Sequence, residues 1–240
     1  MLNVKFDGKK ESERLADFLE ETERVLGKSL IIFQCDGKNE ESIYIRLKRG
    51  MGERLGAIVH VIFVANVHDL KNMIVVANAD ETVDGILVQL PIQFMDSRLR
   101  GNDTEEILEM IDPKKDVDGL NSKSHFVPAV VVATERVLDI FKVEEEQKIA
   151  LVGVKGMVGK RLGERLATLG YEFTGFDKGG DLRKLVDFEV IITATGVADL
   201  IKPEMVSDGF VGIDLGFPKA EFSKEAAEKA LLITPVPNGV

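Results

Sequence analysis

Polar side chains in the first half of the chain have types and spacings that suit proton transfer and ligand binding. Tyr44 and Lys48 are four residues apart, so a helix would place both on one face. A lysine that is partly desolvated can act as a general acid or base. Beside Arg46 and Arg49, however, a lysine is more often simply solvated, and the spacing alone leaves both interpretations open.

Gln89 and Asp118 add two further polar groups. Gln89 is the uncharged polar residue near the end of the apolar run 83–91. So apolar a strand is typically buried on both faces, as in a parallel sheet, and open α/β sheets bind ligands at the carboxyl ends of their strands. Asp118 belongs to the segment 112–119, whose carboxylates, lysines and glycine predict a polar loop with hydrogen-bonding capacity.

These three segments, in this order, resemble the signatures of the bifunctional methylenetetrahydrofolate dehydrogenase/cyclohydrolases. The signatures are Y-x-x-x-K, V-D-G-I-L-V-Q-L-P and D-x-x-K-D-V-D-G, and the middle one matches residues 83–91 at every position. The resemblance implies oxidation of 5,10-methylenetetrahydrofolate to 5,10-methenyltetrahydrofolate with NAD(P). It further implies hydrolysis of that product to 10-formyltetrahydrofolate, and a homodimer.

The same resemblance implies a role for each polar side chain. Lys48 would be the general acid/base of the cyclohydrolase step, and Gln89 would hydrogen-bond this lysine. The ring of Tyr44 would pack on the aromatic portion of the folate. Asp118 would accept hydrogen bonds from the pterin, for which a carboxylate is suited because it is a pure acceptor.

Two segments depart from the family pattern. The family's P-C-T-P-x-G corresponds to residues 128–133, which keep only the first proline, and its P-V-P-G-G-V-G-P-M-T corresponds to residues 235–240. Within the latter, Pro235 and Gly239 are expected to bind substrate. Three alternatives therefore stay open: a dehydrogenase without cyclohydrolase activity, a folate- or nucleotide-binding paralogue without catalysis, and a shikimate-type dehydrogenase.

A glycine-rich loop in the second half predicts a dinucleotide site. The apolar run 148–153 ends in Gly153, and Gly156 and Gly159 follow before a helix. Glycines at such a turn let backbone N–H groups at the helix start approach a pyrophosphate. The alternative is a structural turn without a ligand. Further predicted cofactor contacts are Lys155, Val158, Thr195 and Gly196.

Asp177 bears on which dinucleotide is bound. It ends the next predicted strand, where a carboxylate can accept hydrogen bonds from the adenine ribose hydroxyls. Its charge would repel the 2′-phosphate of NADP, so we expect NAD. NADP is the second choice, because Lys155 and Lys178 would partly offset the repulsion. The alternative is that Asp177 only caps the following turn.

The elements that must position these residues alternate between strands and helices. Strands alternate with helical patterns in residues 1–127, which predicts a parallel sheet with crossover helices. Here residues 95–103 are interpreted as a surface insertion and residues 104–111 as a helix, with Asp103 or Thr104 as its N-cap. The fold class is α/β with two lobes: an N-terminal α/β catalytic domain (1–127) and a C-terminal Rossmann-type doubly wound domain (128–240).

Composition argues against several other classes of protein. The net charge of −10 over 240 residues argues against a nucleic-acid partner or an anionic membrane. No apolar run is long enough to span a bilayer, and the first residues lack a signal-peptide core, so a cytoplasmic location is expected. Cys35 is the single cysteine, which rules out an internal disulfide, and no Cys/His cluster predicts a metal site.

Overall fold

The computed structural model describes residues 4–38, 40–94, 101–237 and 239–240. The chain divides into two compact units, one formed by Glu13–Pro128 and the other by Met1–Ser12 with Ala129–Val240. The sequence predicted domains of 1–127 and 128–240. The structure departs from that prediction at the amino terminus, because residues 1–12 belong to the second unit. There β1 (Val4–Lys5) pairs in parallel with β9 (Leu232–Ile233).

A parallel three-stranded sheet forms the centre of the Glu13–Pro128 unit, as predicted, with the order β3-β2-β4. Residues 85–88 of β4 are buried, and a parallel bridge between Ile86 and Asp116 lies alongside them. The strands are β2 (Ser29–Gln34), β3 (Ile58–Phe63) and β4 (Gly85–Gln89). The helices up to residue 128 are α1 (Gly8–Thr22), α2 (Ile43–Arg54), α3 (Val67–Ala79) and α4 (Gly101–Leu108).

Side-chain caps fix where α2 and α3 begin. The hydroxyl of Ser42 accepts a hydrogen bond from the N–H of Ile45, and the side-chain oxygen of Asn66 accepts one from Asp69. These bonds satisfy N–H groups of the first turn that have no partner within the helix. The cap at Ser42 therefore sets the helix that carries Tyr44 and Lys48.

The start of α4 differs from the sequence-based expectation. Asp103 and Thr104 lie inside this helix, so the prediction that one of them is its N-cap is wrong. The physical reason is that a carboxylate in the first turn is favourable near the positive end of the helix dipole without being the cap. Of the predicted insertion 95–103, residues 95–100 lie outside the described part of the chain.

The second unit contains a sheet of six parallel strands, with the order β1-β9-β8-β7-β5-β6. Its remaining strands are β5 (Ile149–Val152), β6 (Phe173–Phe176), β7 (Val190–Thr193) and β8 (Val211–Asp214). Its helices are α5 (Ala129–Phe141), α6 (Met157–Thr168) and α7 (Lys224–Glu228), with 3-10 helices at Leu182–Asp187 and Pro203–Met205. Alternate residues of β5 enter two different apolar clusters, one on each face of the sheet, which confirms the doubly wound prediction.

Three further features bear on the classes of function considered above. Within the described ranges, no helix is long and apolar enough to cross a membrane. Over the same ranges, no group of three or more His, Cys, Asp or Glu side chains could hold a metal ion. Cys35 is buried, and burial raises the pKa of its thiol to about 12, so it does not form a reactive thiolate near neutral pH.

Candidate functional sites

Tyr44 and Lys48 lie one turn apart on α2, as the spacing predicted. The ring of Tyr44 is exposed, and the side chain of Lys48 is half-buried. The ammonium nitrogen of Lys48 is 3.8 Å from Oδ1 of Asp118, which makes an ion pair between the helix and the 112–119 loop. Two residues that are far apart in the sequence thus form one polar site in the first unit.

Asp118 carries its charge in a poorly solvated place. Burial, the largest effect, raises the pKa of its carboxyl group above the ordinary 3.8. The cation of Lys48 opposes that rise, and the nearby carboxylate of Asp116 adds to it. A carboxylate held in this way can accept hydrogen bonds from several donors of a bound molecule.

The loop that presents Asp118 is fixed by bonds on both sides. The carbonyl of Lys115 accepts from the N–H of Ile86, and the ammonium group of Lys115 donates to the carbonyls of Ala77, Asn78 and Asp80 at the end of α3. On the other side, the buried carboxylate of Asp116 accepts from the N–H of Asn121.

Gly119 completes this turn with a φ of +68°. A Cβ on Gly119 would lie 2.7 Å from the carbonyl oxygen of Phe126, so both the φ and the space favour glycine. The carboxylate of Asp118 therefore projects from a backbone with little freedom.

Gln89 ends β4 but does not hydrogen-bond Lys48, in contrast to what the resemblance implied. Its side-chain N–H group donates to the carbonyl of Leu90 at 2.9 Å, and its buried Oε1 has no hydrogen-bond partner. A buried acceptor without a donor carries a desolvation penalty. A donor from a bound molecule, or from a reoriented lysine, would remove that penalty.

Gln34 is a site-forming residue that the sequence reasoning missed. It is 2% exposed and pairs with Gln89 in the β2–β4 register, which places it at the same edge of the sheet. Its amide donates to the carboxylate of Asp36 and to the carbonyl of Glu40, and accepts from the N–H of Ser42. It thereby holds the turn that leads into α2. The available signal was a lone amide at the end of an apolar strand, the same signal that identified Gln89.

The glycine loop of the second unit lies where the strand order reverses. β5 has β6 on one side and β7 on the other, and open α/β sheets bind ligands at such a switch point. Gly153 has a φ of +91°, and a Cβ there would lie 2.6 Å from the carbonyl oxygen of Ala194. A Cβ on Gly159 would overlap the carbonyl oxygen of Gly153. Both positions therefore need glycine for α6 to begin this close to the strand end.

The start of α6 can hold a phosphate group. Its N-cap is Gly156, so no side chain caps the helix, and Val158 lies half-buried in the first turn. Uncapped N–H groups at a helix start attract anions. The glycine cradle thus fits the dinucleotide that the sequence predicted.

Asp177 follows β6 and faces the glycine loop. Its two carboxylate oxygens accept hydrogen bonds from the backbone N–H groups of Lys178 at 2.7 Å and Lys155 at 2.8 Å. These bonds, that of Lys178 first, lower the pKa of Asp177 below the ordinary 3.8. Asp177 therefore does close a turn, which was the alternative interpretation, and it also presents a fixed negative charge at the end of β6.

Thr195 lines a cavity of about 460 Å³, together with Gly153, Gly156 and Asp177. Thr195 and Gly196 follow β7 at the same edge of the sheet. Four of the predicted cofactor residues thus surround one cavity within the second unit.

Pro235 and Gly239 also belong to the second unit, after β9. A Cβ on Gly239 would overlap the carbonyl oxygen of Pro235, so the turn is tight enough to need glycine. Asn238 lies outside the described residues. Their predicted contact with substrate stays a prediction.

Comparison with known families accounts for nearly the whole chain. Residues 6–118 match the tetrahydrofolate dehydrogenase/cyclohydrolase catalytic domain. Residues 128–240 match the NAD(P)-binding domain of tetrahydrofolate dehydrogenase/cyclohydrolase. The first match ends at Asp118, and the second match contains the linking helix α5.

Individual relatives agree with these matches. The chain is 32% identical over 224 residues to the bifunctional protein FolD of Lactobacillus helveticus, covering 82% of this chain and 76% of that protein. It is similar to the crystal structure of the bifunctional enzyme FolD from Campylobacter jejuni, with a TM-score of 0.85 and 25% identity over 97% of this chain and 91% of that one. A shikimate dehydrogenase from Aquifex aeolicus shares only the fold, with a TM-score of 0.59 and 16% identity over 87% of this chain and 86% of that one.

Proposed function

Because the chain belongs to the tetrahydrofolate dehydrogenase/cyclohydrolase family, we infer that it oxidises 5,10-methylenetetrahydrofolate with NAD(P) and hydrolyses the 5,10-methenyl product to 10-formyltetrahydrofolate. We assign the folate chemistry to the unit Glu13–Pro128 and dinucleotide binding to the unit that contains Ala129–Val240. The observation that carries this assignment is the ion pair of Lys48 and Asp118 at the carboxyl edge of the first sheet, with Tyr44 one turn before the lysine.

In the oxidation step, the residues of this chain bind and orient. NAD(P) supplies the acceptor for the hydride that leaves the one-carbon bridge of the folate. Tyr44 offers an exposed ring to the aromatic part of the folate. Asp118 accepts hydrogen bonds from the pterin, and its fixed loop keeps the bridge carbon in register. No side chain has to exchange a proton in this step.

In the hydrolysis step, Lys48 moves protons. Water adds through its oxygen to the methenyl carbon, and Lys48 carries away the proton that the water loses. The bond from that carbon to N5 then breaks, N5 gains a proton, and the carbon keeps its oxygen as the 10-formyl group; the sum releases one proton. Gln89 supports this step because its unpartnered Oε1 can accept from the ammonium form of the lysine.

The first test separates the two reactions by spectrophotometry. We expect Lys48→Met to reduce hydrolysis by at least about 10²-fold, since general acid–base catalysis typically contributes that much. Dinucleotide reduction should persist, so the methenyl product accumulates. Lys224→Met, which alters a lysine whose side chain is 85% exposed, is the matched control. If Lys48→Met keeps both reactions, Lys48 is excluded as the proton carrier and another group must carry the proton.

We propose that NAD is preferred to NADP. The support is the fixed carboxylate of Asp177 at the end of β6, whose lowered pKa keeps it charged at any working pH. Asp177→Ser should raise the use of NADP relative to NAD by about tenfold or more, because one unit of charge repulsion is removed. Asp208→Ser is the control for removing an exposed carboxylate. An unchanged ratio of kcat/KM values would reject the role of Asp177.

We propose a homodimer, with β6 as part of its interface. The support is that β6 is an edge of the six-stranded sheet and that Thr174 and Gly175 on it are exposed. A strand edge presents backbone groups that a second copy can pair with. Sedimentation velocity over a range of concentrations should give twice the monomer mass of 26.5 kDa.

A cytoplasmic location stays a prediction from the sequence.

A further inference from the structure

Glu221 is a buried acid that the proposed chemistry does not use. It is 0% exposed, and its carboxylate accepts hydrogen bonds from three donors of the segment that follows β7. The donors are the N–H of Thr195 at 2.8 Å, the hydroxyl of Thr195 at 2.6 Å and the N–H of Gly196 at 2.6 Å. Consecutive backbone N–H groups of this kind form a small anion-binding turn, and here a side chain of the same chain fills it.

A second buried acid fixes the backbone of Glu221. Asp214 ends β8 and is 2% exposed. Its carboxylate accepts from the N–H groups of Glu221 at 2.8 Å, Phe222 at 3.2 Å and Gly216 at 2.8 Å. A Cβ on Gly216 would lie 2.8 Å from Cγ of Glu221, so the loop packs tightly over both acids. The two carboxylates thus link the end of β8 to the end of β7.

The far end of the segment after β7 is attached to the same loop. The N–H of Asp199 donates to the carbonyl of Ala220, and that of Ile201 donates to the carbonyl of Glu221. A parallel bridge between Ile201 and Phe222 continues this pairing. Residues 195–201 are therefore held at both ends by residues 220–222.

Two buried carboxylates lower the stability of the folded protein more than neutral side chains in the same places would. Burial is the main cause that raises the pKa of both carboxyl groups, and Asp214 is the charged group that acts on Glu221. The carboxylate of Glu221 fixes the orientation of the turn that lines the dinucleotide cavity. Each of its two oxygens accepts a hydrogen bond from that turn. Because the turn is already ordered, the free-energy cost of ordering it when the dinucleotide binds is reduced.

We propose that Glu221 is a positioning residue for the dinucleotide, acting through Thr195 and Gly196. The inference rests on the proposed function, since it takes the cavity beside Thr195 as the NAD(P) site. Glu221 touches neither the cofactor nor the substrate, and its effect is to keep the turn after β7 in the shape that the dinucleotide meets.

The test compares Glu221→Asp with Glu221→Gln in the full-length protein. Glu221→Asp keeps the charge but shortens the side chain by one methylene, so it cannot reach all of its donors. We expect the KM for NAD to rise about tenfold, as for the loss of charge-assisted hydrogen bonds. Glu221→Gln keeps the length and one acceptor, and a rise of about threefold is expected. Glu225→Asp makes the same change at an exposed position of α7 and should leave the KM for NAD unchanged.

The cyclohydrolase reaction, measured without dinucleotide, reports whether the variants are folded. A selective rise in the KM for NAD, with hydrolysis and the KM for folate within about twofold of the parent, would support the positioning role. Equal loss of both reactions in both variants would overturn it and make Glu221 a purely structural residue. An unchanged KM for NAD in both folded variants would also overturn it. Failure of the parent protein itself to reduce NAD(P) would instead reject the proposed function.

Discussion

At the scale of single residues, Asp118 has the environment that makes its chemistry sensitive to pH. Burial raises the pKa of its carboxyl group, and the nearby Lys48 limits that rise. Its proposed role requires the carboxylate, because only the ionised form accepts hydrogen bonds with both oxygens. Folate binding should therefore weaken on acidification earlier than the ordinary pKa of an aspartate would suggest.

This expectation can be measured with 5,10-methenyltetrahydrofolate as substrate. As the pH falls through the raised pKa, the KM of the hydrolysis should rise, because the fraction of ionised Asp118 falls. Asp118→Asn should have a KM at least about tenfold higher at every pH, since it lacks the charge-assisted bonds. Asp139→Asn changes an exposed aspartate of α5 and should follow the parent curve. A KM for Asp118→Asn that still varies with pH as in the parent would assign the titration to another group.

At the scale of elements, Gln34 determines how β2 connects to α2. Its buried amide satisfies three polar groups of the connecting turn, and the turn ends at Ser42, the cap of the helix that carries Tyr44 and Lys48. A change at Gln34 should therefore act on the site through the position of a whole helix.

Gln34→Leu should destabilise the protein by about 1–3 kcal/mol, because buried donors and acceptors lose their partners. It should also lower both reactions, since Tyr44 and Lys48 move together. Gln93→Leu, at an exposed glutamine, serves as control. Denaturant unfolding and the two assays together would show the effect, and unchanged assays in a destabilised variant would limit Gln34 to a structural role.

Two glycines within helices, Gly159 and Gly50, provide a matched pair at the same scale. A Cβ on Gly159 would overlap the carbonyl oxygen of Gly153, whereas a Cβ on Gly50 would meet nothing within 4 Å. Gly159→Ala should therefore push α6 away from the loop and raise the KM for NAD strongly, with less effect on hydrolysis. Gly50→Ala should stabilise the protein by about 0.5–1 kcal/mol, because alanine has the higher helix propensity. Equal effects of the two changes on NAD binding would contradict the close approach at Gly159.

At the scale of the whole molecule, the carboxyl groups of the described residues whose pKa values are shifted fall into two sets. Burial raises the pKa of Asp118, Asp214 and Glu221 above the ordinary 3.8 for Asp and 4.5 for Glu. For these groups, stability is fully present below the unfolded-state pKa and is lost as the pH rises through the folded-state value. Hydrogen bonds lower the pKa of a second set of carboxyl groups. The contribution of these groups to stability is lost as the pH falls below 3.8. The second set is Asp80, Asp84, Asp177 and Asp181, the last with a pKa of about 2.

The two sets together predict an optimum of stability in mild acid. The thermal midpoint should be higher at about pH 5 than at about pH 8, and lower again below about pH 4. In Glu221→Gln the difference between about pH 5 and about pH 8 should shrink, because one of the raised groups is gone. Differential scanning calorimetry in buffers of equal ionic strength measures this. A midpoint that is highest at about pH 8 would mean that the buried acids do not dominate the pH dependence.

The sequence alone determined those features that depend on local patterns or on short repeats of apolar residues. Alternating apolar strands and helical patterns predicted both sheets, and the i to i+4 spacing placed Tyr44 and Lys48 on one face of a helix. The glycine spacing after residue 152 predicted the turn at Gly153. Each of these depends on neighbouring residues only, and for that reason it can be recognised without knowing how the chain packs.

Only the tertiary structure decided which distant groups meet. The pairing of Lys48 with Asp118, the hydrogen bonds that Thr195 donates to Glu221, and the pairing of β1 with β9 join segments that are far apart in the chain. Glu221 was missed because the sequence does not distinguish a buried acid from an exposed one. Its role depends on the donors and acceptors that folding brings within hydrogen-bonding distance, and no local pattern encodes those.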